Sequence, residues 1–137
     1  MSSQLNVDTI VNKAGSGGTN VKIGNTSTYV SDGGNVTQNT VQGLAKNWCS
    51  YSFNASIQDS FNVSGITDEA TASHTLALTN SMSNDDYSAS CGVLGTSQET
   101  FGVIRTIATS SYRCNTYLSN GNADERDTGS LAHGDLA

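Results

Sequence analysis

The chain is short of positive charge: six Lys and Arg stand against twelve Asp and Glu in 137 residues, a net charge of −6. No basic cluster forms, so nucleic acid is a poor partner. Histidine is scarce as well, with His74 and His133 the only candidates for a catalytic imidazole base. Three cysteines, Cys49, Cys91 and Cys114, are an odd number without C-x-x-C spacing, which argues against a disulfide framework and against zinc. Inert burial as reduced thiols is the expectation for each. No apolar run approaches the roughly 20 residues of a spanning helix. The opening "MSSQLNVDTIVNKAG" lacks both the basic start and the long apolar centre of a secretory signal. A chain made and kept soluble in a cytoplasm is expected.

What the sequence has instead is Ser, Thr, Asn and Gly, at 64 of 137 positions. Ser, Thr and Asn bond to nearby backbone and Gly adds backbone entropy, so long helices are disfavoured. β-branched Thr, Val and Ile point to strands joined by polar turns. Disorder is the bland alternative for such a composition, but it comes with few aromatics. Here five Tyr, three Phe and Trp48 recur at strand-like spacing. The length suits one compact domain plus an extended segment.

Residues 1 to about 40 differ from the rest. Short β-type runs, "LNVDTIV", "VKIG" and "TSTYV", are separated by the Gly-rich turns "NKAGSGGTN" and "VSDGGNV". None can hold a core alone, so this arm needs a partner, and Leu5, Val7, Ile10, Val11, Val21 and Ile23 are its candidate assembly and anchoring residues. In "TVQGLAKNW" the residues Val41, Leu44, Ala45 and Trp48 fall at i, i+3, i+4, i+7, which predicts a short helical turn joining arm (1–48) to head (49–137).

From Cys49 the period changes to two. In "SYSFNASI" Tyr51, Phe53, Ala55 and Ile57 share one face; Tyr87, Ala89, Cys91 and Val93 do so in "YSASCGV", and Tyr112, Cys114, Thr116 and Leu118 in "YRCNTYL". Further strands are expected at 61–66, 73–79, 101–109 and 129–136. Six or seven short strands predict an all-β fold: a small antiparallel β-sandwich head, jelly-roll or immunoglobulin-like, behind the extended β arm. Its expected core is Tyr51, Phe53, Phe61, Leu76, Leu78 and Tyr87.

One segment, "DSFNVSGITDEATASHTLALTNSMSNDDY" (59–87), gathers Asp59, Asp68, Glu69, His74, Asp85 and Asp86. A calcium loop of the EF-hand type needs a tight array of oxygen ligands around a central Gly, which "SNDDYSAS" lacks. A catalytic set must meet in space, and Ser and Asp are so abundant that some triple fits by chance. The acids read as turn residues, and His74, alternating with Leu76 and Leu78, as a structural residue at the core edge. The sequons at Asn25, Asn35, Asn54 and Asn62 follow from composition. No catalytic residue, cofactor or metal is expected.

Two pieces carry a resemblance. "LNVDTIVNKAG", and "GLAKNWCSYSFNASIQDSFNVSGITDEATASHTLALTNSMSNDDYSASC", resemble small tail-fibre-like or structural virion proteins of tailed phages of aquatic bacteria, cyanophages among them. The matching stretches are Leu5 to Ile10, Ala45 to Trp48, Asp59 to Asp68 and Asp86-Tyr87. The chain departs from that pattern in its longer Gly-rich arm and in having no proline near Asp86-Tyr87. The resemblance implies a non-enzymatic, homotrimeric appendage on the virion surface, bound to tail or capsid proteins, with no membrane insertion. On this reading the arm docks to the particle and the polar head face, Tyr117 included, meets a host glycan. The alternatives are a head decoration or cement protein and, from another class, a carbohydrate-binding module, whose only large stacking platform is Trp48.

Overall fold

Ten antiparallel strands account for the regular structure in a computed structural model that describes residues 28–30, 37–39, 43–95 and 99–135. The chain divides into two units, Met1–Val41 and Gln42–Ala137. In the first, β1 (Thr28–Val30) pairs with β2 (Thr37–Asn39), so the run "TSTYV" does supply a strand. The six anchoring residues named for the arm lie outside the described residues.

The second unit is the head, with eight strands in two four-stranded sheets. Sheet one has the order β4-β3-β10-β7, from β3 (Asn47–Tyr51), β4 (Ile57–Phe61), β7 (Ser88–Val93) and β10 (Thr128–His133). Sheet two has the order β5-β6-β9-β8, from β5 (Val63–Ala70), β6 (Ser73–Leu78), β8 (Thr100–Ala108) and β9 (Ser111–Leu118). The all-β sandwich is as expected. Its four-and-four split differs from the seven-stranded ABED and CFG sheets of an immunoglobulin constant domain. The first and last head strands, β3 and β10, lie side by side in the middle of sheet one, with Trp48 opposite Leu131.

Period-two patterning explains which side chains the sheets enclose. Tyr51, Cys49 and Ala132 from sheet one meet Leu76, Leu78, Tyr112 and Cys114 from sheet two in one buried cluster, with Tyr87 and Met82 closing it. Each fully buried side chain of this size contributes on the order of 1.5–3 kcal/mol. The Tyr87 and Tyr112 rings meet edge to face at 6.4 Å, and the Tyr87 hydroxyl lies 3.0 Å from the carbonyls of Ala108 and Ser111. Tyr51, Leu76, Leu78 and Tyr87 are therefore core residues.

Phe53 and Phe61 are not. They are 51% and 52% exposed. The alternation begun at Asn47 stops at Tyr51, because the chain turns through Ser52 to Ser56: the Ser52 hydroxyl bonds the Asn54 side chain, Ala55 N donates to Ser52 O at 3.0 Å, and Ala55 takes a φ of 60°. Phe53 sits in that turn. Phe61 ends β4 instead of opening the strand expected over 61–66, and lies opposite Trp48 on the outward side. Trp48 is correspondingly the second residue of β3 and not part of a joint. Of the helical turn expected there, only Gly43 is helical among the described residues.

A sharp corner separates the sheets after β4. Asn62 alone links β4 to β5, with φ 58°, a left-handed conformation that Asn tolerates better than most residues. Its amide ties three segments: Nδ2 donates to Lys46 O at 3.0 Å and Asn80 O at 3.2 Å, while Oδ1 accepts from Asn80 N at 2.7 Å. A sequon side chain engaged in this way holds the fold together, in line with a compositional origin for the motif.

Candidate functional site

The two sheets present very different outer faces. On sheet one the inward positions are Asn47, Cys49 and Tyr51 in β3 and Thr128, Ser130 and Ala132 in β10, which turns Trp48 and Leu131 outward. The pairing then aligns Phe61, Trp48, Leu131 and Ser90 in one row across all four strands. The adjacent row is Asp59, Ser50, Gly129 and Gly92, short side chains that leave a trough. Leu94 lies over it: a Cβ placed on Gly129 would be 3.3 Å from Leu94 Cδ2, so glycine there makes room for the leucine. The result is a shallow groove of about 390 Å³ lined by Trp48, Ser50, Ser90, Leu94, Gly129 and Leu131.

Its walls are apolar and wet. Trp48, Leu131 and Leu94 are 40%, 41% and 43% exposed, and Phe61 more so. At roughly 150–250 Å² per aromatic side chain, Trp48 and Phe61 alone leave about 200 Å² of ring in water. Contiguous apolar patches of a few hundred Å² mark interaction sites on soluble proteins. On the strands of this sheet Asp59 is the only charged outward residue among those described.

Sheet two has a mainly polar outer face on which Phe101, 48% exposed, is the large apolar exception. Arg113 Nε donates to Thr75 Oγ1 at 3.1 Å and its Nη2 pairs with Glu69 at 3.4 Å. Arg105 stacks over the Tyr117 ring at 5.5 Å from its centre, and Phe101 lies against the same ring at 6.2 Å. Tyr117 itself is half-buried, with Arg105 over its ring.

The acids of 59–87 do not converge. Asp59 is on the outer side of sheet one, Asp68 and Glu69 are on β5 and not in a turn, and Asp85 and Asp86 precede β7. Asp86 N donates to Asn84 Oδ1 at 2.9 Å, the local turn bond expected there. Among the described residues no group of three or more His, Cys, Asp or Glu is placed to hold a metal ion. His74 is buried, edge to face with Tyr51 at 5.4 Å, and its Nε2 lies 3.0 Å from the Phe53 carbonyl, which can only accept. That contact assigns the proton to Nε2 and makes His74 a brace for the 52–56 turn.

Cys49 and three interior tyrosines are held in their neutral forms. Burial pushes the Cys49 thiol up to about 11, with the Asp59 carboxylate adding to the shift. Burial likewise raises Tyr87 to about 12, with a smaller push from Asp85. Burial raises Tyr51 and Tyr112 further still. Asn47, wholly buried, donates from Nδ2 to the Tyr112 hydroxyl at 2.8 Å, and that hydroxyl donates to Ser130 Oγ at 3.0 Å. This polar chain links the sheets beneath Trp48.

Comparison with protein-family models, with curated proteins and with solved structures finds no match for the chain.

Proposed function

We propose that the chain is a non-enzymatic phage virion structural protein, a short fibre or tail-fibre-like surface appendage. In this reading residues 1–40 dock it to tail or capsid proteins, and the sandwich heads associate with one another, three to an assembly, through the outer face of sheet one. The observation that carries it is the row Phe61, Trp48 and Leu131, a contiguous apolar stripe across three neighbouring strands of an acidic chain. A second copy is the occupant that suits it, because the face brings almost no like charge together when identical copies meet. Four strands at about 4.8 Å by five residues at about 3.3 Å give a face of roughly 300 Å². Stable interfaces bury about 800 Å² per partner, so the arms must supply the remainder. Arm and head then act jointly in assembly, while the polar face of sheet two, with Tyr117, points outward toward a host glycan.

A non-catalytic role agrees with His74, which is committed to the Phe53 carbonyl. The carbohydrate-binding alternative gains from the structure, because Trp48 lines an open groove. The groove wall is nearly all apolar, however, and a sugar needs hydrogen-bond partners for its hydroxyls.

Immuno-gold labelling of intact virions with an antibody to the head tests the reading. Gold at the tail supports a fibre, and gold spread over the capsid makes the chain a decoration protein whose loss weakens the shell to heat. Binding of free chain to a glycan, with no label on particles, would favour the binding module.

A further inference from the structure

Two β-bulges, one on each edge strand of sheet two, converge on a single pocket. In β8 the pairing with β9 steps from Ile104 opposite Cys114 to Ile107 opposite Tyr112, so Arg105 and Thr106 together face Arg113. Ile104 and Ile107 both pack on the core, which turns the two residues between them away from it. In β5 the pairing with β6 steps from Asp68 opposite His74 to Ala70 opposite Ser73, and Glu69 is the extra residue. A bulge re-aims a side chain. Here Glu69 and Thr106, re-aimed from opposite edges of the sheet, line the same pocket of about 120 Å³ with Thr75, Ser111 and Arg113, in front of Tyr112, whose ring is in the core. Guarding a sheet edge asks for a bulge, but not for two that meet at one arginine.

The outward side chains of this pocket are all polar, and much of their hydrogen-bonding capacity is unused. Arg113 engages Thr75 through Nε at 3.1 Å and Glu69 through Nη2 at 3.4 Å, which leaves the rest of the guanidinium fork open. Glu69 keeps its second carboxylate oxygen, and the Thr106 and Ser111 hydroxyls bond no other described group. Arg113 and Glu69 are 37% and 35% exposed, so small solutes reach them. Their charges cancel. A simple anion would meet the Glu69 carboxylate on a chain of net charge −6, and an apolar ligand would find no apolar wall. The ligand that suits is neutral, with neighbouring groups that each donate and accept, as the vicinal hydroxyls of a sugar ring do.

We propose that this pocket is a sugar subsite that takes one pyranose unit, whose vicinal hydroxyls donate to Glu69 and accept from Arg113. The inference rests on the reading of sheet two as the glycan-facing side, and names the residues that do the holding. The volume is well below the roughly 300 Å³ of a drug-sized site, so the pocket engages the edge of a single ring and holds it weakly. Phe101 offers a second contact. It lies opposite Tyr117, which is on the same side of β9 as Arg113 and about 13 Å further along the strand. A short oligosaccharide laid along β9 places one unit in the pocket and another on the exposed Phe101 ring.

The test is titration of the full chain, followed by its amide NMR spectrum, with the methyl glycosides of glucose and mannose and with sodium phosphate as the anion probe. The two sugars present their vicinal hydroxyls in both the equatorial and the axial arrangement. The expected result is shifts at Thr75, Thr106, Ser111 and Arg113 that saturate in the millimolar range with at least one sugar, and none with phosphate. Glu69→Gln should weaken that binding at least about tenfold and Thr106→Val severalfold, in spectra that otherwise keep the dispersion of the folded chain. Phe101→Ala should weaken binding of the corresponding trisaccharide and leave the methyl glycoside unchanged. No shift with either sugar at tens of millimolar, shifts confined to the sheet-one groove, or a response to phosphate in place of sugar would overturn the proposal. Gold on particles together with a chain that ignores both sugars would remove the pocket and leave the virion role standing. Sugar shifts without gold on particles would uphold the pocket and remove that role.

Discussion

The outer faces of the two head sheets obey the same alternation and reach opposite ends. Sheet two turns out Arg113, Glu69, Thr75, Arg105 and Tyr117, which pair among themselves, with Phe101 as a single exposed ring against Tyr117. Sheet one turns out Phe61, Trp48 and Leu131, which pair only by adjacency and stay wet. Beneath each face the core is of the same kind. The difference therefore lies outside the demands of folding one head, and points to what the head meets.

The largest effect should come from crossing between core and face. Tyr87→Ala removes a buried ring and its hydroxyl contacts, and is expected to cost about 3–5 kcal/mol in urea unfolding. Phe61→Ala, on the face, should cost under about 1 kcal/mol in the same measurement at a concentration where the chain is dissociated. Equal costs would mean that Phe61 is covered within the single chain, and the contrast between the faces would collapse.

Next in size is association itself. Trp48→Ser with Leu131→Ser should weaken self-association of the full chain at least tenfold in sedimentation equilibrium, since buried tryptophans commonly carry 2 kcal/mol or more of an interface. Arg105→Ala on sheet two should leave it unchanged. The reverse pattern would move the interface to the polar sheet and leave Trp48 to some other ligand.

How much of this contrast was legible in the sequence depends on the strand. In β6, β7 and β9 only one alternating set is apolar, so Leu76, Leu78, Tyr87 and Cys114 could be placed inside from spacing alone. In β3 the two sets compete: Asn47, Cys49 and Tyr51 against Trp48. Hydrophobicity favours burying the indole and exposing the amide, yet Asn47 is buried, its Nδ2 bonded to the Tyr112 hydroxyl and its Oδ1 without a hydrogen-bond partner among the described residues. Tyr112 lies 65 residues away, and no local pattern announces it. Phe53 and Phe61 were misplaced because local spacing hides a break. A turn keeps apolar residues at even spacing in "SYSFNASI", which reads as one strand, and Phe61 opens the run "FNVSGI", which reads as one strand across the corner at Asn62. The signal for the first break is Asn54, whose side chain bonds the Ser52 hydroxyl in the turn.

A smaller effect sharpens the contrast from beneath sheet one. Cys49 and Tyr87 both have folded values above their ordinary 9.0 and 10.0, so their neutral forms are favoured in the fold. The stability they contribute is complete below pH 9 and is lost as pH rises through about 11 for Cys49 and about 12 for Tyr87. Thermal melts should thus decline across that interval. Cys49→Ser should make the decline between pH 9 and 11 shallower, while Cys114, whose thiol is also held above 9.0, keeps its onset in place. An unchanged slope over that interval would show that the Cys49 thiol is not held neutral by its site.

The smallest effect belongs to the polar face. Arg113 and Glu69 are each about one-third exposed at a separation of 3.4 Å, and exposed pairs of this kind are worth about 0–1 kcal/mol. Glu69→Gln should therefore lower stability by no more than that in dilute buffer. The loss should shrink further in about 1 M salt, where charges are screened within roughly 3 Å. Arg113 would keep its bond to Thr75, so the side chain has a second reason to stay in place. A loss of several kcal/mol, insensitive to salt, would mean that the pair is buried in the working assembly. Sheet two would then be an interface too, and the separation of one associating face from one solvent face would have to be abandoned.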